Sequence, residues 1–236
     1  LTHNTLTLLF VPLFLLYVGA VILADSRAAR LYVISRVVVA LVLGVGLAAF
    51  FLIPAILERE FAQIERVIIS PDFDFHYHFV SFSQLFSLPP PADTGLLNPN
   101  IPLTLGLVHV ALAGFGLAIG LWRGYRLRQP ILIAVTLFAG AAVLVMLILM
   151  LSISVVVWET LPLIAFVQFP HRLLGPTALM MALLAGLGIA GLPRREAFWL
   201  TLGGVLAIFV TTIPLLYPRY NASGPADPTV LHMFEY

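Results

Sequence analysis

The chain has 236 residues, 61% of them hydrophobic and 10% charged, and twelve basic residues against eleven acids leave a net charge of +1. A mean hydropathy of +1.06 describes more apolar surface than a water-soluble fold of this size can hide, and no basic face is available to displace counterions from a nucleic acid. The absence of cysteine excludes a disulfide framework, a thiolate metal site and a thiol nucleophile.

The chain opens Leu1-Thr2-His3-Asn4, without a methionine or a basic n-region, and reads as the middle of something longer. Roughly 20 mostly apolar residues are needed to carry a helix across ~30 Å of hydrocarbon, where the helix satisfies its own backbone hydrogen bonds. On that criterion the pattern predicts an all-α, polytopic transmembrane bundle of six spans, near 6–24, 37–56, 103–122, 130–152, 173–192 and 197–217. Arg27, Arg30 and Arg36, then Arg123, Arg126 and Arg128, then Arg194 and Arg195 fill every second gap. By the positive-inside rule those gaps face the cytoplasm, which puts both ends of the chain outside, together with the loops 57–102 and 153–172.

The spans differ in kind. Gly44, Gly46, Ala48 and Ala49 in the second, and Gly175, Ala178, Ala182, Ala185, Gly186 and Gly188 in the fifth, are small residues that let helix backbones approach, which predicts that both lie inside the bundle. The apolar stretch from Pro130 to Trp158 is too long for an upright crossing and predicts an outer extension ending near Ser152 or Ser154. Pro54 and Pro214 stand near the outer ends of their spans, where proline kinks or ends a helix at little cost. His109, in the third span, reads as a helix–helix hydrogen bond.

The first outer loop opens with an amphipathic pattern, in which Leu57, Phe61, Ile64 and Ile68 recur at helical spacing among Glu58, Glu60, Glu65 and Arg66. In Asp72-Phe73-Asp74-Phe75-His76-Tyr77-His78, polar and aromatic residues alternate. If this segment is extended, Asp72, Asp74, His76 and His78 share one face. Carboxylates and imidazoles together suit a divalent ion, Mn, Mg or Zn, or acid/base chemistry; the alternative is an aromatic anchor at headgroup level with its polar residues in water. Phe82 to Leu88 reads as a short apolar turn on the membrane, stopped by Pro89-Pro90-Pro91, and 93–100 as a polar loop suited to a ligand.

In the second outer segment, Glu159, Gln168, His171 and Arg172 are the strongly polar side chains between two hydrophobic spans. They require headgroup water or a polar cavity. The guanidinium of Arg172 is well made to hold a phosphate, with His171 beside it; the alternatives are snorkelling to lipid phosphates or pairing with Glu159. The chain then turns polar over 218–236, the start of an outer region.

Val167-Gln168-Phe169-Pro170-His171-Arg172-Leu173-Leu174 resembles the (I/V)QFPxR(L/F)L signature of the bacterial membrane proteins called 6-pyruvoyl-tetrahydropterin synthase-related, which are similar to YfhO-like proteins. Phe75-His76-Tyr77-His78-Phe79-Val80 with Gln84-Leu85-Phe86 looks like that family's outer loop, His3-Asn4 like its approach to a helix, and Met233-Phe234-Glu235-Tyr236 like the start of its post-membrane region. The resemblance spans most of the chain at low similarity. It implies a GT-C-type glycosyltransferase of the bacterial cytoplasmic membrane, taking sugar from a polyprenyl-phosphate carrier to an acceptor on the outer face. The acidic residue such proteins carry in their first outer loop, as general base or metal ligand, has no assigned counterpart here, and Asp72 and Asp74 would line the site without being its base. A departing lipid phosphate needs positive charge, and Arg172 is the residue that meets that need. A different class, a structural or accessory subunit held by other membrane subunits, fits the scarcity of intramembrane charge.

Overall fold

The computed structural model describes residues 4–24, 27–57, 74–89, 102–161 and 164–216. Over these residues the chain is all-helical, with no strand. The expected amphipathic helix after Leu57, the polar loop 93–100 and the region 218–236 lie outside the described residues. Five helical segments are long and apolar enough to cross a membrane, Arg30–Phe50, Leu107–Arg126, Pro130–Met150, Pro170–Ile189 and Arg194–Leu216, and Leu9–Ala24 is a shorter apolar helix. The chain is a multi-pass membrane protein.

In chain order the described α-helices are α1 (Asn4–Ala24), α2 (Arg27–Leu57), α3 (Phe82–Leu85), α4 (Leu107–Arg126), α5 (Pro130–Met150), α6 (Val155–Thr160), α7 (Leu174–Ile189) and α8 (Arg194–Thr212). The core is built by α4, α5 and α7. Helix α4 presents Ala113, Gly116, Gly120 and Gly124 to it at intervals of three and four, and α7 answers with Met180, Met181, Leu184 and Gly188. Both helices run in the same direction, so small residues set how near their axes come. A Cβ on Gly116 would stand 1.9 Å from the carbonyl oxygen of Leu184, and one on Gly188 would stand 2.7 Å from the Cα of Gly116. Only hydrogen fits at either position.

Helix α5 fills the remaining side with Ala139, Met146 and Met150, and α1 leans on it through Tyr17 and Phe138, ring centroids 5.6 Å apart. Thr136 and Thr177 are fully buried with their hydroxyls satisfied, because each donates back to the carbonyl four residues earlier, Leu132 and Leu173, at 2.7 Å.

Three expectations need correction. The small residues of the second span do not place it inside: no residue of its apolar stretch is buried, and Gly44 and Gly46 have nothing within 4 Å of an added Cβ. Small residues permit close packing without requiring it. The Pro130–Trp158 stretch, expected to run on as an outer extension ending near Ser152 or Ser154, breaks earlier: α5 ends at Met150, a 3₁₀ turn spans Ser152–Ser154, and α6 restarts at Val155. Ser154 breaks the run by donating its hydroxyl to the carbonyls of Leu151 (2.8 Å) and Leu149 (3.2 Å). His109, expected to hydrogen-bond another helix, has a buried Nδ1 with no partner among the described residues.

Pro12 and Pro54 lie inside α1 and α2, whereas two other prolines stand at helix ends. Pro214 falls where α8 tightens into the 3₁₀ turn Ile213–Leu216, and Pro130 sits at the first position of α5, where its missing N–H is not needed. The α4–α5 connection is a Schellman closure, with Gln129 N–H donating to Gly124 (2.9 Å) and Arg128 N–H to Tyr125 (3.3 Å). It requires a left-handed residue, and Arg128 supplies it at φ 51. An arginine there costs about 1 kcal/mol against glycine, so Arg128→Gly is expected to raise the melting temperature in neutral detergent by a few degrees.

Candidate functional site

The predicted polar residues meet at the pole where α5 ends and α7 begins. The aromatic platform that carries them is set by Trp158, which is 1% exposed and donates its indole N–H to Leu149 at 2.9 Å. Phe75 stacks on the indole (5.4 Å, 29°), and Phe79 meets both rings edge-on, at 6.2 Å from Phe75 and 6.0 Å from Trp158. Backbone bonds from Val80 N–H to Met150 and from Leu105 N–H to Leu85, both 2.9 Å, tie the 74–89 loop to the bundle. Helix α3 is fixed by a capping box between Ser81 and Gln84 and buries Leu85, so this turn docks on the protein.

Asp72 lies outside the described residues, and the described segment from Asp74 onward turns rather than running extended. Asp74 caps a 3₁₀ turn at Phe75–Tyr77 by accepting the His76 backbone N–H at 3.0 Å. A period of three replaces the period of two, so Asp74, His76 and His78 do not share one face. The His76 ring is held between two carboxylates, with Nδ1 2.6 Å from Asp74 Oδ1 and Nε2 3.3 Å from Glu159 Oε1. A neutral imidazole has one N–H to donate, and holding both carboxylates takes the imidazolium.

The electrostatics agree. The backbone bond from His76, then its ring, hold the Asp74 carboxyl below the usual carboxylate range. The hydrogen bond to Asp74, then that to Glu159, raise the His76 imidazole above its ordinary value. A raised histidine pKa means that the link to Glu159 is complete below about pH 6.5 and is lost as pH rises through the raised value. Hydrogen exchange of 74–78 should therefore accelerate above that value, and His76→Gln should remove the pH dependence.

His78 points elsewhere: its ring meets Phe169 edge-on at 4.6 Å. The same Phe169 ring is approached by His171 (5.4 Å) and lies under the Arg172 guanidinium (4.7 Å). Two imidazoles and a guanidinium thus surround one phenyl ring, with Arg172 making the cation–π contact. The local chain is unusual. Gln168 has φ 64, and Phe169 N–H donates to Val167 across it at 2.7 Å, which makes a γ-turn of the rare left-handed kind. Arg172 Nη1 clamps that turn, donating to the Val167 carbonyl at 2.9 Å and to Gln168 Oε1 at 3.2 Å. Gln168 and Arg172 therefore act together, while Glu159 belongs to the His76 group.

Beneath this pole lies an apolar cavity of about 360 Å³, walled by Leu9, Pro12 and Leu13 of α1, Met146 and Leu149 of α5, and Trp158, Val167 and Leu173. Its wall shares Val167, whose carbonyl accepts from Arg172, and Leu173, the residue after Arg172. No group of three or more His, Asp or Glu side chains is arranged to hold a metal among the described residues. The described part of the expected Mg or Mn face is split, with Asp74 already accepting from His76 and His78 turned to Phe169.

Sequence reasoning missed Phe169 as the hub and the strained turn at Gln168. The available signal was the phenylalanine between Gln168 and the His171–Arg172 pair. The chain matches no family model, no curated protein and no solved structure.

Proposed function

We propose that this pole binds a lipid-linked phosphate and that the chain is the membrane part of a GT-C-like glycosyltransferase acting on the outer face of the bacterial cytoplasmic membrane. The observation that carries this reading is the meeting of His78, His171 and Arg172 around Phe169, joined through Val167 to the wall of an apolar cavity. A polyprenyl phosphate has the matching halves, an apolar tail for the cavity and an anion for the cluster. On the other side of the aromatic platform, Glu159 offers a carboxylate for an acceptor hydroxyl, steered by His76 and Asp74. Separating carboxylate from cations lets one side take a proton while the other stabilises the departing phosphate.

Arg172→Ala is expected to lower sugar transfer from a polyprenyl-phosphate donor by about 100-fold, the scale of a lost charge-assisted contact to a developing anion. Transfer at the wild-type rate by a folded Arg172→Ala protein would remove the phosphate role. The second reading, an accessory subunit, is favoured by α2 and α8, which bury no residue of their apolar stretches. Faces so bare suit neighbouring subunits as well as lipid.

A further inference from the structure

At the opposite pole, we infer a binding site for an anionic phospholipid headgroup, formed where the α4–α5 turn meets the α7–α8 turn. The two turns touch: a Cβ on Gly191 would stand 2.8 Å from Arg123 Nη1, so this guanidinium lies against the second turn. Around it, Arg126 and Arg128 leave the end of α4, and Arg194 and Arg195 open α8, all four exposed. Glu196 is the one carboxylate in these two turns, and none of the five arginines has an ion-pair partner among the described residues.

The ring of side chains outside the arginines indicates what covers them. Trp122, Tyr125, Phe198 and Trp199 are all more than half exposed at this level, the amphipathic belt of a membrane–water interface. Arg126 stacks over Trp122 at 5.1 Å, which orients its charge within that belt. Arginine density at headgroup depth, framed by aromatic anchors, complements the phosphate of an anionic lipid. Arg128 adds an independent pointer, because the left-handed position that glycine would fill at lower cost holds a cation instead.

The test is native mass spectrometry of the protein released from nanodiscs of equimolar phosphatidylglycerol and phosphatidylcholine. Retained lipid in the wild type should be enriched in phosphatidylglycerol, and each neutralised arginine should lower the enrichment about fivefold. Arg128→Gly is the decisive variant, since it removes charge while relieving the backbone: its melting temperature in phosphatidylcholine should hold or rise as its enrichment falls. Arg194→Lys/Arg195→Lys, which keeps the charge, should retain the enrichment. Wild-type lipid at the bulk ratio, or Arg128→Gly enriched like wild type, would overturn the site. Displacement of the lipid by millimolar inorganic phosphate would reassign it to a free anion.

Discussion

Gly116→Val should leave no folded protein in detergent, whereas Gly114→Ala two residues earlier should be neutral or slightly stabilising. The difference is geometric. At Gly116 the first added carbon would lie 1.9 Å from the Leu184 oxygen and 2.3 Å from its carbonyl carbon, both backbone atoms that no rotamer change can move. The two helices would have to separate along the contact that organises the core. Overpacking of flexible cores already costs about 1–3 kcal/mol, and a rigid backbone crossing stands at or above the top of that range. Gly114 has nothing within 4 Å of an added Cβ, so Gly114→Ala gains helix propensity, about 0.5–1 kcal/mol. Thermal unfolding followed by circular dichroism decides between them; similar melting temperatures for both variants would refute the crossing.

Trp158→Ala is the second large effect, with an expected loss of about 3–5 kcal/mol. The indole is buried at 1% exposure, supports Phe75 and Phe79, and walls the cavity beneath the site. Its removal enlarges that cavity and leaves Phe75 and Phe79 without the ring they pack on. Trp158→Phe should cost less, because most apolar contact remains and the Leu149 carbonyl still accepts from Ser154 at 3.2 Å. Hydrogen exchange should show the damage concentrated in 74–80, ahead of the core helices. Uniform exchange in Trp158→Ala, with 74–80 protected as in the wild type, would show that the platform does not hold the loop.

Much of the architecture was readable from the chain because a bilayer imposes one simple demand: enough consecutive apolar residues to span it. Which helices lie inside was harder to read. Gly44 and Gly46 have the same composition signal as Gly188, yet only Gly188 faces another backbone. The informative pattern was the spacing Gly116, Gly120, Gly124, one face of a single helix, rather than the number of small residues in a span. At the site, Arg172, His171, Gln168 and Glu159 stood out as polar groups between apolar runs, and Asp74, His76 and His78 as a polar series. Their grouping did not follow from the sequence, since one 3₁₀ turn at Phe75–Tyr77 sends His76 to Glu159 and His78 to Phe169. Capping by Asp74 chose that turn, and alternation alone could not reveal it.

The placement of the tryptophans makes a direct binding measurement practical. The chain has three tryptophans, of which Trp122 and Trp199 are exposed at the far pole while Trp158 walls the cavity. With Trp122→Phe and Trp199→Phe in place, the fluorescence of Trp158 can be titrated with a polyprenyl phosphate and with the matching polyprenol. The expected result is a saturable change with the phosphate, at least tenfold weaker binding of the alcohol, and the same weakening of phosphate binding in Arg172→Ala, as the loss of a charge-assisted contact requires. Equal affinity for phosphate and alcohol, unchanged by Arg172→Ala, would contradict a lipid-phosphate site at this pole.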